Sequence, residues 1–127
     1  MASAIQAILN IERAMVRDFN AGKIDLLLAH FHPRVVGFSS TKQERIAGRA
    51  AMRKTFDYYR KASPHMKYHI AQPEIHIFGE VAVATFYWRV DLGTGRPRHS
   101  IQGRGSHVFA RQDGRWLIVH EHFSRAH

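Results

Sequence analysis

The densest group of ionisable side chains is the run His120–His122, which has Glu121 at its centre and apolar residues on both sides. His107 lies upstream in a second apolar segment, and Asp113-Gly114 separates the two segments. An Asp-Gly pair is a strong signal for a β-hairpin turn, because glycine adopts a positive φ at little cost. The pattern therefore predicts a hairpin that brings His107 close to the run. A histidine beside a glutamate can act there as a general acid/base unit.

The length of the hairpin loop decides which side chain faces His107. A two-residue loop places His107 opposite His120, whereas a three-residue loop with a bulge places it opposite Val119. In the bulged register His107 shares a face with Glu121, so that His107 could act as the base and Glu121 could orient it or act as the acid. The alternative is that the two side chains only form hydrogen bonds that fill the interior.

Arg89 is the one charged residue in the apolar segment Phe86–Val90. A buried arginine keeps its proton and needs a partner. Arg89 is therefore either an anion anchor in a cavity or a structural partner of Glu121 or Asp57. The further candidates for such a cavity are aromatic residues that could equally be ordinary core: the hydroxyl donors Tyr59 and Tyr87 and the apolar walls Phe38, Phe56 and Phe123.

The sequence gives little support for a metal site or for nucleophilic catalysis. His30 and His32, like His120 and His122, have the spacing of two metal ligands on a strand. However, only five residues follow His122, too few for the further ligands of a cupin-like site. The chain has no cysteine, and no serine lies in a G-x-S-x-G motif. We therefore expect no metal and no cofactor.

Composition favours one cytoplasmic domain over residues 1–127. Hydrophobic residues make up 45% of the chain, no apolar run is long enough for a membrane span, and no secretory leader is evident at the start. The formal net charge is +9, but the basic residues are scattered and form no run of five. This pattern favours a basic surface over a nucleic-acid interface.

The hydrophobic pattern predicts helices first and long strands later. Ser3 is a candidate N-cap for the first helix, and Gly79, Gly93–Gly95 and Asp113-Gly114 mark turns. Pro73 predicts an edge strand or a bulge, because proline cannot donate a ladder hydrogen bond. This order is typical of an α+β fold with helices on one face of a curved antiparallel sheet. The predicted helices are 3–20, 23–30 and 46–60, and the predicted strands are 35–40, 66–78, 80–92, 99–111 and 115–124.

The long strands are apolar on both faces, as the segment Val81–Trp88 illustrates. Helices can cover only one face of a sheet, so the second face needs another cover. We expect a second copy of the chain in a two-fold homodimer, with His120, His122 and Trp116 at the contact. The alternative is that a loop or the N-terminal helix folds over this face.

The order of elements, with a third helix opened by Gly48-Arg49, resembles the cystatin-like cone of the nuclear transport factor 2-like superfamily. That superfamily includes ketosteroid isomerase, scytalone dehydratase and the SnoaL-like polyketide cyclases. Residues 110–124, ARQDGRWLIVHEHFS, resemble the SnoaL-like subgroup most. They are also similar to the end of the association domain of calcium/calmodulin-dependent kinase II. The resemblance implies the fold more strongly than any activity, because this fold hosts isomerases, dehydratases, cyclases and non-enzymatic hubs.

The resemblance also bears on single residues. The association domain carries three pocket arginines that can bind small carboxylates. Arg89 matches one of them, whereas His107 and Phe123 stand where the other two would be. Because these three positions share one pocket in the association domain, the resemblance favours the bulged register. Ketosteroid isomerase uses an aspartate base, and residues 35–40 offer no carboxylate to match it.

Together these observations predict a homodimeric SnoaL-like protein whose cavity binds a small, mainly apolar compound with a carboxylate or an enolisable carbonyl. If the protein is an enzyme, the chemistry would be cofactor-free isomerisation, dehydration or cyclisation. His107 would then be the base, Glu121 its orienter or the acid, and Arg89 the anion or enolate stabiliser. The alternative is a non-catalytic ligand-binding or oligomeric assembly module.

Overall fold

The computed structural model describes residues 3–93 and 99–126. These residues form three helices and six strands in an α+β arrangement, which confirms the predicted fold class. No helix in the described residues is long and apolar enough to cross a membrane. The elements are α1 (Ala4–Asn20), α2 (Ile24–Leu28), β1 (Phe31–Phe38), β2 (Ile46–Ala47), α3 (Arg49–Ala62), β3 (Lys67–Phe78), β4 (Val81–Leu92), β5 (His99–Gln112) and β6 (Arg115–Arg125).

Helix α1 begins where its capping residue predicts. The Ser3 side chain accepts a hydrogen bond from the Gln6 backbone N–H at 3.1 Å, which satisfies one free donor of the first turn. Ile8, Met15 and Phe19 are buried along the stripe that faces the sheet. The predicted first helix is therefore confirmed, while the second helix is shorter at both ends than residues 23–30.

The segment before α3 differs from its prediction. Residues 46 and 47 are not helical but pair with Val36 and Gly37 of β1. Gly48 follows with φ +93°, a backbone conformation that L side chains rarely adopt, and turns the chain into α3. The helix therefore begins three residues later than predicted. Strand β1 also begins earlier than residue 35, since it includes Pro33 in an irregular stretch of its pairing with β6.

The six strands form one sheet in the order β2-β1-β6-β5-β4-β3. All neighbours are antiparallel except β1 and β6, which run parallel. Pro73 lies in the edge strand β3, next to a register shift between Ala71 and Glu74 where Gln72 has φ +52°. The predicted edge or bulge at Pro73 is confirmed in both respects. The predicted turn at Gly93–Gly95 lies partly outside the described residues.

The three helices cover one face of this sheet, which we call the inner face. Side chains that alternate along β4 divide between the faces. Ala82, Ala84 and Trp88 point inward and are buried, whereas Val81 and Tyr87 point outward and are exposed. The core between the helices and the inner face includes Ile8, Phe31, Met52, Phe109 and Ile118, all almost completely buried.

Candidate functional site

The turn between β5 and β6 and a bulge within β6 together place Glu121 opposite His107. Asp113 and Gly114 both have positive φ and form a two-residue loop, so Gln112 pairs with Arg115. Further along, Phe109 pairs with Ile118 but Val108 pairs with His120, so β6 has one extra residue at Val119. The two-residue loop of one alternative is therefore confirmed, but both alternatives are wrong about the residue opposite His107, which is Glu121 rather than His120 or Val119. The loop has two residues, and the bulge lies inside the strand rather than at the turn.

The bulge preserves the predicted proximity of His107 and Glu121 and adds a third residue, Glu12 of α1. His107 Nε2 lies 2.7 Å from Glu121 Oε1. On the other side of the ring, His107 Nδ1 lies 2.6 Å from Glu12 Oε1 and 3.0 Å from Oε2. All three side chains are buried, with 2 to 8% of each exposed. We call Glu12, His107 and Glu121 the inner cluster.

His107 is a cation in this arrangement. Burial alone would lower the pKa of its imidazole, but the charges of Glu12 and Glu121 and the hydrogen bonds to both raise the pKa to about 10. Each ring nitrogen donates to a carboxylate, so neither has a lone pair for a substrate proton. The rings of four phenylalanines, Phe31, Phe86, Phe109 and Phe123, surround the imidazolium at centroid distances between 5.2 and 6.3 Å. His107 therefore holds the two carboxylates in place, and the geometry does not support its predicted role as the base.

One oxygen of the inner cluster is free to meet a ligand. Every fully buried side-chain nitrogen and oxygen of the described residues has a hydrogen-bond partner. Glu121 bonds His107 through Oε1, and its Oε2 has no partner among these residues. Since Oε2 is unpaired, it cannot be fully buried, and Glu121 lines a cavity. Oε2 is therefore the acceptor that faces the cavity.

The cavity lies between the helices and the inner face and has a volume of about 420 Å³, a size typical of small-molecule sites. Its walls are mainly apolar, with a few hydroxyl groups from the loop after β1. Glu12, His107 and Glu121 form its charged floor. The aromatic residues that line it are Phe19, Phe31, Phe56, Tyr58, Tyr59, Tyr68, Trp88 and Phe123.

Tyr68 lines this cavity and carries a phenol hydroxyl. Its hydrogen bonds with other described residues use only its backbone, where the Asn20 side chain donates to the carbonyl at 2.9 Å and accepts from the N–H at 2.8 Å. Burial, followed by the charges of Glu12 and Glu121, raises the pKa of Tyr68 well above its ordinary value. The phenol is therefore a neutral donor. Asn20 joins the end of α1 to the edge strand β3, on which Tyr68 lies.

The predicted site residues divide into two groups. Tyr59, Phe56 and Phe123 line the cavity together with His107 and Glu121. The Tyr59 hydroxyl lies 3.3 Å from Thr41 Oγ1, and burial raises the pKa of this phenol. Arg89, Tyr87 and Phe38 do not line it.

Arg89 corrects the sequence-based expectation most clearly. It lies on the outer face of β4, where its side chain is 51% exposed and Nε lies 3.1 Å from Asp91 Oδ1. Tyr87 shares this face and is 54% exposed. The partner of Arg89 is thus neither Glu121 nor Asp57. Phe38 packs against His122 instead, with ring centroids 5.6 Å apart.

The other histidines of β6 are separate from the floor. The bulge at Val119 puts His120 and His122 on the outer face, opposite Val108 and Ser106, whereas Trp116 packs on the core side. The expected grouping of both histidines with Trp116 is therefore wrong. Within residues 3–93 and 99–126, no group of three or more His, Asp or Glu side chains is arranged to hold a metal ion.

Sequence reasoning missed Glu12, Asn20 and Tyr68. Glu12 had a usable signal, because it lies four residues after Ile8 and three before Met15, within the apolar stripe of α1. A carboxylate at such a position must be buried and must find a partner. Tyr68 and Asn20 carry no comparable local pattern.

Comparisons with known proteins agree with this architecture. The sequence model of the SnoaL-like domain family matches residues 8–127. The chain is 31% identical over 102 residues to calcium/calmodulin-dependent protein kinase type II of Caenorhabditis briggsae. This alignment covers 79% of the chain but 18% of the kinase, so the chain spans less than a fifth of that relative's length.

Two solved structures share the fold. The S. rosetta CaMKII hub superposes with a TM-score of 0.87 at 21% identity, over 99% of each chain. A putative dehydratase from the NTF2-like family of Streptomyces avermitilis superposes with a TM-score of 0.82 at 13% identity, over 94% of each chain. At these identities the likeness shows the fold alone. Since the family match spans nearly the whole sequence, the chain belongs to the SnoaL-like domain family and has the nuclear transport factor 2-like, cystatin-like fold.

Proposed function

We propose that this protein binds a small, mainly apolar carbonyl compound in its cavity and acts on it by cofactor-free acid/base chemistry. The observation that carries the proposal is Glu121 Oε2, an unpaired carboxylate oxygen at the floor of an apolar cavity. A general base needs an accessible lone pair at the reacting atom, and this oxygen has one. The carboxylate-bearing ligand expected from the sequence loses its support, because Arg89 lies on the other face of the sheet.

The burial of three ionisable groups supports a functional role for the floor. Removing charged groups from water costs several kcal/mol per ion, and apolar side chains of similar volume usually fill such a space with no loss of stability. The side chains of the inner cluster are nonetheless buried, with only 2 to 8% of each exposed, and they border the cavity. Buried titratable groups that converge on an apolar pocket are typical of a catalytic site.

The chemistry follows from the free oxygen. Glu121 Oε2 takes a proton from the carbon next to the ligand's carbonyl, and the electrons of the C–H bond move into an enolate. The Tyr68 hydroxyl donates a hydrogen bond to the enolate oxygen, while the His107 imidazolium keeps Glu121 oriented. In a β,γ-unsaturated ligand the enolate is conjugated with the double bond, and return of the proton to the γ-carbon gives an isomerisation to the α,β-unsaturated compound. Loss of a neighbouring hydroxyl group, which leaves as water after accepting that proton, gives a dehydration.

The direct test is exchange of the abstracted proton. Cyclic ketones and β-hydroxy ketones are incubated with the protein in D₂O, and proton NMR follows the loss of the α-proton signals. We expect the wild type to accelerate exchange and Glu121→Gln to slow it about 100-fold or more. Arg89→Ala, on the outer face, is the matched control and should exchange at the wild-type rate. Equal rates for wild type and Glu121→Gln would reject Glu121 as the base.

A second candidate function is assembly, which the outer face of the sheet favours. Val83, Val108 and Leu117 point outward from neighbouring strands, and Val81 and Phe78 beside them are 40 and 65% exposed. An apolar strip of this kind is typical of a protein–protein contact. The similar structure named as a CaMKII hub supports a contact between copies of this chain. Light scattering should show a dimer or larger assembly that Val108→Lys dissociates without changing ligand binding, and a monomeric wild type would contradict this candidate.

A further inference from the structure

The charges that line the cavity are unevenly placed. On the floor, two carboxylates flank one imidazolium, which leaves one net negative charge. The other charged group lining the cavity, within the described residues, is Arg125. It lies four residues beyond Glu121 on β6, or about 13 Å along the strand, and it is exposed. Because Arg125 is exposed, water screens its charge much more than it screens the buried floor.

The floor also presents a specific acceptor. Glu121 is 6% exposed and lines the cavity, and its Oε2 has no partner among the described residues. A carboxylate oxygen accepts hydrogen bonds and cannot donate one. A ligand carboxylate at this point would meet like charge with no donor from Glu121, whereas an ammonium group would meet opposite charge and an open acceptor.

The wall beside the floor suits the body of a cationic ligand. The Phe123 ring lies 5.8 Å from the His107 ring, and Tyr68 and Trp88 pack around Phe123 at 6.4 and 6.0 Å. These rings give an apolar surface for an alkyl or aryl chain. Their faces also attract a cation, an effect that strengthens where water is excluded.

We propose that this cavity selects lipophilic monoamines, bound as ammonium ions at Glu121 Oε2, over neutral and carboxylate compounds of the same shape. The inference rests on the proposed function in that both use the same cavity. An ammonium ion at Oε2 occupies the general base. Lipophilic amines are therefore ligands that compete with a carbonyl substrate.

The test uses three probes that share one body and differ in one end group: phenylbutylamine, phenylbutanol and phenylbutanoate. Isothermal titration calorimetry at pH 7 measures their affinities for the whole chain. We expect the amine to bind about tenfold more tightly than the alcohol, and the carboxylate about tenfold more weakly. The amine should also inhibit α-proton exchange competitively.

Two isosteric variants separate direct contact from net charge. Glu121→Gln removes the acceptor and the charge, so the preference for the amine over the alcohol should fall below about threefold. Glu12→Gln removes the same charge but keeps Oε2, so it should lower the preference only in part. Arg89→Ala is the control and should keep the full preference.

Several outcomes would overturn the inference. One is that phenylbutanoate binds as tightly as phenylbutylamine. Another is that Glu121→Gln leaves the preference for the amine over the alcohol unchanged. If Glu121→Gln fails to fold, an unchanged preference in Glu12→Gln would overturn the inference in its place. Binding of the alcohol without the amine would reject this inference and leave the proposed function standing. Failure of all three probes to bind would count against both.

Discussion

Two clusters of histidine and carboxylate side chains lie on opposite faces of the same sheet. The inner cluster is Glu12, His107 and Glu121, and the outer cluster is His69, Arg89, Asp91 and Ser100. Contacts within them are similar in length: Glu121 lies 2.7 Å from the His107 ring, and Asp91 lies 3.1 Å from the His69 ring. Their exposure differs, since the inner ion-paired side chains are at most 8% exposed and the outer ones are 39 to 51% exposed.

Burial, not residue type, decides what such a cluster does. In the outer cluster the hydrogen bond from Ser100, and next the charge of Arg89, lower the pKa of Asp91, but water screens every pair. Water is excluded from the inner cluster, so neighbouring charges and hydrogen bonds, rather than solvent, stabilise each charge there. The inner cluster can therefore bind and react, and it must dominate the effect of pH on stability, whereas the outer cluster mainly orders a surface.

Alkaline pH should cause the greatest loss of stability. The pKa of His107 is about 10 in the folded protein, against an ordinary value of 6.5. Because the folded value is higher, the contribution of His107 is complete below pH 6.5 and is lost as pH rises through 10. The free energy of unfolding should fall by about 5 kcal/mol over this range, measured by urea unfolding.

NMR of the His107 ring gives a direct check on the same prediction. Glu12 and Glu121 are the titratable groups that contact the ring, and Tyr68, which interacts with both carboxylates, has a raised pKa that keeps its phenol neutral in this range. The ring resonances should therefore keep their imidazolium positions at pH 8. A midpoint below pH 8 would show that the two carboxylates do not hold the charge.

The next largest effect is that of His107→Leu. This change leaves two buried carboxylates without their shared cation and should destabilise the protein by about 3–5 kcal/mol at pH 7. Urea unfolding at fixed pH measures the difference. A loss below about 1 kcal/mol would mean that water reaches the inner cluster as readily as the outer one.

Replacement of the whole inner cluster sharpens this result. A triple variant with leucine at Glu12, His107 and Glu121 has no buried charge, so it should be at least as stable as the wild type. The same variant should lose α-proton exchange completely. Recovery of stability without recovery of exchange would assign the cluster to function rather than to folding.

Most elements could be predicted because short-range patterns encode them. The Ser3 cap and the spacing of Ile8, Met15 and Phe19 define α1, and Asp113-Gly114 defines the final turn. The start of α3 was misplaced, because Ile46 and Ala47 continue a helix-like pattern. Only their pairing with β1, and the positive φ of Gly48, show that the helix has not yet begun.

Short-range patterns could not predict the sheet face on which each strand residue lies, or which residues meet in the inner cluster. Both faces of β4 are apolar, so alternation could not tell that Arg89 points outward with Tyr87 while Trp88 points inward. The extra residue at Val119 reverses the alternation of β6, and no local pattern marks it. Glu12 meets His107 across 95 positions of sequence, a contact that only the folded chain creates.

A smaller effect should follow from Gly37→Ala, which would displace Glu121 on the cavity floor without changing any side chain of the inner cluster. The added Cβ would lie 2.2 Å from the Glu121 backbone oxygen, so β1 must shift away from β6. We expect a loss of about 1–3 kcal/mol in urea unfolding and weaker amine binding.

The matched control for Gly37→Ala is Gly79→Ala in the β3–β4 turn. Gly79 has φ +64° and nothing within 4 Å of an added Cβ, so the change costs about 1–2 kcal/mol of backbone strain. Amine binding should stay at the wild-type level in this control. Unchanged binding in Gly37→Ala as well would show that the floor tolerates displacement.

The smallest expected effect is that of Arg89→Ala in the outer cluster. Its ion pair with Asp91 is half-exposed, so the melting temperature should stay within about 2 °C of the wild type. In 1 M salt the Debye length shrinks to about 3 Å, and the difference should shrink with it. A large loss of melting temperature or of ligand binding would mean that another copy of the chain covers Arg89. The outer cluster would then be buried in the assembly, and the contrast between the two faces would hold only for the single chain.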